Sequence, residues 1–224
     1  WSRGLGDVYK RQVVSGNVSL YNETDGRAIM PTPVIGGIGL LENASNHITI
    51  DLKGANETIV SIGMLTGWLG QSLYLRELFG QETGAPPPIN LDEEKLNGDF
   101  ILRMIEGKYL TACHDISDGG LLVAITEMAF SALIKGKKLG VEIINTAGLD
   151  PFAFYFGEEQ ARYILTTVDP EKLLEMAQKA GVVANIIGKT TSNGQLILPD
   201  NCSMALEELY IAHDNWLPEY MLGA

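Results

Sequence analysis

The sequence predicts an α/β fold of the α+β kind, a sheet layered with helices, and three observations predict it. Apolar runs rich in β-branched residues recur at 58–64, 109–113, 140–144, 162–168, 182–187 and 195–198. Helical patterns with apolar stripes lie between them, at 72–78, 92–106, 118–133, 170–180 and 203–213. Gly, Pro and polar clusters punctuate the junctions, so element types alternate along one chain and point to sheet and helix layers.

The elements follow in order from the N-terminus. Residues 1–12 (WSRGLGDVYKRQ) lack the apolar stretch of a signal peptide and do not lead into the strand that follows, so they are read as a non-native leader. No initiating Met is present, and the chain is expected to start inside a longer protein. A short strand at 13–15 runs into Gly16-Asn17-Val18-Ser19, a polar turn covers 21–26, and Pro31 and Pro33 introduce a Gly-punctuated strand at 34–41. The polar run 42–47 marks a boundary between an incomplete β-rich piece, 13–45, and a larger domain, 46–224.

In that larger domain, 92–106 places Leu96, Phe100, Ile101, Met104 and Ile105 on one stripe, with acids in the first turn where the helix dipole favours them. The helix at 118–133 is apolar nearly all round, which predicts deep burial. No internal repeat is found.

Composition narrows the function. The apolar stretches are interrupted by Gly and Pro and fall short of the ~20 residues that cross a bilayer. A net charge of -12 and a pI near 4.6 speak against a general nucleic-acid surface, because phosphate backbones need clustered Lys and Arg. The two cysteines, Cys113 and Cys202, make no disulfide framework, and metal-binding Cys and His spacings are absent, which points to a reducing cytoplasm.

Two clusters could carry chemistry. Gly16-Asn17-Val18-Ser19 joins a permissive backbone, an amide oxygen and a hydroxyl, suited to a phosphate or cation, although the same residues are common turn formers. His114-Asp115-Ile116-Ser117-Asp118-Gly119-Gly120 sits at a strand-to-helix junction. Amide N–H groups of Gly119, Gly120 and Leu121 could hold an anion with Mg²⁺ on Asp115 and Asp118; alternatively Asp118 caps the helix and the glycines permit close packing. Cys113 and His114, neighbours on a strand, point to opposite faces and form no dyad. Phe156-Gly157-Glu158-Glu159-Gln160-Ala161-Arg162 reads as a surface turn with a weak local ion pair, and His47 and His213 as ordinary surface or helix residues.

Four stretches in order, VSGNVSLYNET at 13–24, PTPVIGGIGLL at 31–41, HDISDGGL at 114–121 and FGEEQAR at 156–162, resemble the phosphoribosylformylglycinamidine synthase family in its small synthetase form. That family is similar to aminoimidazole ribonucleotide synthetase. The resemblance implies that 13–45 ends a second barrel-forming, PurM N-terminal-like domain and that 46–224 is the second PurM C-terminal-like sheet-and-helix domain.

It also implies an ATP-dependent ligase of purine biosynthesis that activates the amide oxygen of formylglycinamide ribonucleotide for attack by ammonia. In the family pattern Gly16 contacts ATP, Asn17 gives an oxygen ligand to Mg²⁺ and Ser19 hydrogen-bonds the substrate. The catalytic His, main Mg²⁺-binding acids and ATP-binding Lys of the family belong to a first half that this chain lacks, so the chain alone is expected to be inactive. Ammonia would come from a separate glutamine amidotransferase subunit, joined through a small bridging subunit. The alternatives are a related synthetase on the same fold and a non-catalytic scaffold that docks an amidotransferase.

Overall fold

The computed structural model describes residues 16, 23–29, 35–41, 43–145, 148–199 and 202–223. The chain divides into two units, Trp1–Leu41 and Glu42–Ala224. In the first, β1 (Glu23–Thr24) and β2 (Arg27–Ala28) pair antiparallel across Asp25 and Gly26. Both turn residues have positive φ, 52° and 75°, the combination that matches a two-residue hairpin to strand twist. Of the polar turn read at 21–26, Glu23 and Thr24 are strand and Asp25 and Gly26 form the hairpin turn. The strand read at 34–41 is corrected, since 35–41 forms none and Ile35, Ile38 and Leu40 are exposed. Gly36, Gly37 and Gly39 offer no side chain to pack, which weakens a strand. The strand read at 13–15 lies outside the described residues.

In the second unit a 3-10 turn, Ala44–Asn46, precedes β3 (Thr58–Ile62). The order then runs α1 (Leu73–Phe79), α2 (Leu91–Glu106), β4 (Ala112–Asp115), α3 (Gly120–Ile134), β5 (Gly140–Ile143), α4 (Pro151–Phe156), β6 (Tyr163–Thr167), α5 (Pro170–Ala180), β7 (Ala184–Thr191), β8 (Gln195–Ile197), β9 (Ser203–Ala205) and α6 (Leu206–Leu222). The strands make one sheet ordered β4-β6-β3-β7-β5-β8-β9, antiparallel throughout except at β5–β8.

Alternation along the central strands sets the layers, because successive side chains leave a strand on opposite faces. Ile59, Ile164 and Ile187 join Leu121, Ile125 and Met128 of α3 and Phe154 of α4 in one core. Val60, Ile62 and Leu165 join Phe100 and Met104 of α2 and Leu173 and Ala177 of α5 in the other. Both faces of the sheet are covered, which fits the uninterrupted apolar character of these strands. Each fully buried large side chain contributes roughly 1.5–3 kcal/mol by leaving water.

Helix starts follow their caps. Ser72, Asn90, Asp150 and Asp169 each accept backbone N–H groups of the first turn of α1, α2, α4 and α5. The helix read at 203–213 is corrected at both ends, because 203–205 pairs with β8 as an edge strand and α6 continues to Leu222. The strand read at 109–113 starts later, since Tyr109 donates its N–H to Met104 and finishes α2. Among the described residues no helix is long and apolar enough to cross a membrane.

Candidate functional site

Of the three residues singled out as ligand contacts, Gly16 is exposed, and a Cβ built there would meet no atom within 4 Å. Asn17 and Ser19 lie outside the described residues. The geometry that can be followed is the junction between β4 and α3 and the segment packed against it.

At that junction Cys113 and His114 diverge as strand neighbours must. Cys113 packs toward the α2 and α5 side, and burial pushes its thiol up to about 12, which suits no nucleophile. His114 lies on the α3 side, its Nε2 3.0 Å from Glu127 Oε2 and its Nδ1 3.1 Å from Asp115 Oδ1. Gly119 and Gly120 follow at φ 80° and 74°, a region other residues enter only with strain. A Cβ on Gly120 would lie 2.7 Å from the Phe156 carbonyl carbon, so the helix can start here only because that carbon is missing.

Asp118, weighed as the cap of α3, is exposed and does not cap; Gly119 holds the cap position without a side-chain hydrogen bond. Two of the three amides expected to receive an anion already have partners. Gly119 N–H donates to Glu158 Oε1 at 2.8 Å, and Gly120 N–H donates to the Ser117 carbonyl at 3.1 Å.

The donor's partner belongs to 156–162, and here the reading of a surface turn is overturned. Glu159 is 8% and Arg162 2% exposed. One oxygen of Glu159 accepts from the N–H and hydroxyl of Thr66 at 2.7 and 2.9 Å, from Trp68 N–H at 3.1 Å and from Gly67 N–H. Its other oxygen meets Arg162 Nη1 at 2.5 Å, and Nη1 also donates to the Gly157 carbonyl. Burial by itself would raise the Glu159 pKa, but the Arg162 charge and the loop's donors outweigh it and hold the carboxyl below its ordinary value. Glu158 spans two elements, accepting from Leu73 N–H at the start of α1 at 2.9 Å as well as from Gly119. The two carboxylates thus pin the 66–73 and 117–120 loops to one segment.

A cavity of about 150 Å³ lies alongside, lined by Glu94, Asp115, Ser117, Gln160, Arg162 and Tyr163. The Nε and Nη2 atoms of Arg162 are buried without a hydrogen-bond partner. Among the described residues no group of three or more His, Cys, Asp or Glu could hold a metal ion.

Comparison with known proteins gives the following. The family model described as AIR synthase related protein, C-terminal domain, matches residues 55–201. The chain is 46% identical over 211 residues to phosphoribosylformylglycinamidine synthase subunit PurL of Azorhizobium caulinodans, covering 93% of this chain and 28% of that protein. It therefore spans just over a quarter of the length of the curated relatives it matches. Solved structures share the fold: Thermotoga maritima PurL complexed with FGAR has a TM-score of 0.60 at 18% identity, covering 75% of this chain and 30% of that one. The same protein complexed with ATP has a TM-score of 0.55 at 18% identity, covering 75% of this chain and 28% of that one.

Proposed function

The chain belongs to the AIR synthase related proteins, whose C-terminal domain it carries at residues 55–201, and from that membership we propose that it is the C-terminal part of a phosphoribosylformylglycinamidine synthase. The observation that carries this reading is its 46% identity, over 93% of its length, to a relative of that name. The reaction is ligation: the amide oxygen of formylglycinamide ribonucleotide attacks the γ-phosphorus of ATP and ADP leaves. Ammonia then attacks the activated carbon, phosphate departs, and loss of a proton leaves the amidine. Such chemistry needs positioning and charge stabilisation more than a protein nucleophile.

In this reading 13–45 closes a barrel-forming domain and 46–224 is the domain behind it. Gly16 lets the backbone approach ATP, and Ser19 hydrogen-bonds the substrate. Asn17 gives one hard oxygen ligand to Mg²⁺, whose other ligands come from outside this chain. The enzyme works in the cytoplasm with a glutamine amidotransferase subunit and a small bridging subunit, and this chain alone does not turn over.

One observation favours a scaffold role for the second cluster, 114–120. Its Gly119 amide is already occupied by Glu158, a carboxylate of the same chain.

The test is rescue of a purine auxotroph by the full-length gene. Growth without purine is expected, with Asn17→Ala and Ser19→Ala each abolishing it. Failure of the full-length gene despite soluble expression sinks the reading, and growth of both variants at the native rate sinks the site.

A further inference from the structure

Helix α6 carries one apolar stripe along its whole length, and its own domain covers half of it. At 3.6 residues per turn Leu206, Leu209, His213, Trp216, Leu217 and Tyr220 share a face, while Glu207, Glu208, Asp214 and Glu219 take the other. In the first half the stripe is used: Leu206 is buried, Leu209 packs on the core, and the His213 ring stands 5.6 Å from Phe130 of α3. Beyond His213 the stripe continues past the body of the domain. Trp216, Leu217, Tyr220 and Met221 are 64%, 55%, 68% and 73% exposed. The rings of Trp216 and Tyr220 stack on each other at 5.4 Å and 9°. Stacking of this kind places two large apolar faces side by side in water, the arrangement an interface core uses.

Charge says what kind of surface fits. From Thr190 to Ala224 the sequence contains no Lys or Arg, while Asp200, Glu207, Glu208, Asp214 and Glu219 fall in that stretch. A second copy of a chain with net charge -12 brings like charge to this edge, and so does an anionic lipid surface. The curated relatives contain much more polypeptide than this chain, which covers 28% of their length. Beside the stripe, a cavity of about 390 Å³ between α3, α4 and α6 leaves room for side chains from outside, lined in part by Leu122, Phe156 and Leu209.

We propose that the distal half of α6, centred on Trp216 and Tyr220, docks into a groove of the polypeptide that lies outside this chain in the full-length protein. The groove is apolar at its floor and edged by Lys and Arg, the helix-in-groove mode of recognition. This rests on the reading of the chain as part of a longer enzyme.

The test is hydroxyl-radical footprinting, read by mass spectrometry at Trp216 and Tyr220, on the full-length protein and on the 224-residue chain. At least tenfold slower oxidation of both residues is expected in the full-length protein. Asp214→Lys with Glu219→Lys in the full-length protein is expected to return the rate most of the way to that of the free chain. Equal rates in the two proteins overturn the proposal, as does protection that appears in the free chain as its concentration rises, which assigns the stripe to a second copy. A product of only 24.3 kDa in cells removes the longer-enzyme reading itself, and the docking proposal with it.

Discussion

Two loops meet at the hydrogen bond from Gly119 to Glu158, and they are built in opposite ways. The 114–120 loop shows the attributes of an anion site, with paired glycines, exposed acids and a helix start. The 156–162 loop has the composition of a solvated turn. Yet it is the second whose carboxylate is buried and satisfied, with Glu159 accepting four donors besides Arg162. The first borrows its order from it. An anion-binding geometry can be completed by the chain's own carboxylate, and then its meaning shifts from ligand capture to internal bracing.

The largest effect expected from breaking this arrangement is at Glu159. Glu159→Ala leaves Arg162 buried without a counter-charge and strands three backbone N–H groups, and it is expected to cost about 3–5 kcal/mol in urea unfolding. Arg162→Met should cost less, because Glu159 keeps its loop donors. A loss under about 1 kcal/mol for Glu159→Ala would mean that this segment organises nothing.

The same carboxylate gives a pH signature. Burial tends to raise its pKa, but Arg162 and the donors win and lower it. A folded pKa below the unfolded value means stability that is fully present above the unfolded glutamate value of about 4.3 and lost as pH falls through the folded one. Unfolding free energy should therefore drop more steeply between about pH 5 and pH 2 for the native chain than for Glu159→Gln. Parallel curves would assign the acid sensitivity elsewhere, for example to Asp51, which is held far below the carboxylate range by Lys135 and Lys53 even though burial opposes this.

Next comes Glu158. Glu158→Ala removes the acceptor shared by Leu73 and Gly119, at an expected cost of about 1–3 kcal/mol. Amide exchange at those two positions should accelerate more than tenfold while β6 stays protected. Unchanged exchange at Gly119 would show that the glycine loop stands without its neighbour and would weaken the contrast between the two loops.

What the sequence made legible follows the range of each signal. Helix α5 is read at its observed limits because its signals are local: Asp169 accepts Lys172 N–H, Pro170 opens the first turn and Gly181 closes the last at φ 72°. The Asp150-Pro151 pair carries the same opening signal for α4, but six residues are too few to show a periodic apolar stripe. Ser203 looked like a helix start because its pairing with Ile197 depends on sheet register. The contacts of Glu159 were out of reach for the same reason, since its loop partners lie more than ninety residues away. Its charge and its neighbour Arg162 were visible, but burial was not.

The smallest effect is expected at Asp118, and it sharpens the comparison most. An aspartate at a helix cap is worth about 1 kcal/mol against alanine, because its carboxylate satisfies an amide of the first turn. Here Asp118 is exposed, Gly119 takes the cap position without a side-chain hydrogen bond, and Glu158 accepts the Gly119 amide while the Ser117 carbonyl accepts that of Gly120. Asp118→Ala should change the unfolding free energy by less than about 0.5 kcal/mol. In a Glu158→Ala background the same substitution should cost more, since Asp115 and Asp118 are then the carboxylates that the loop itself can offer the freed Gly119 amide. A double-mutant cycle measures the difference as a coupling energy. A cost near 1 kcal/mol for Asp118→Ala alone would return the cap to Asp118. It would also demote Glu158 from brace to bystander at this helix start.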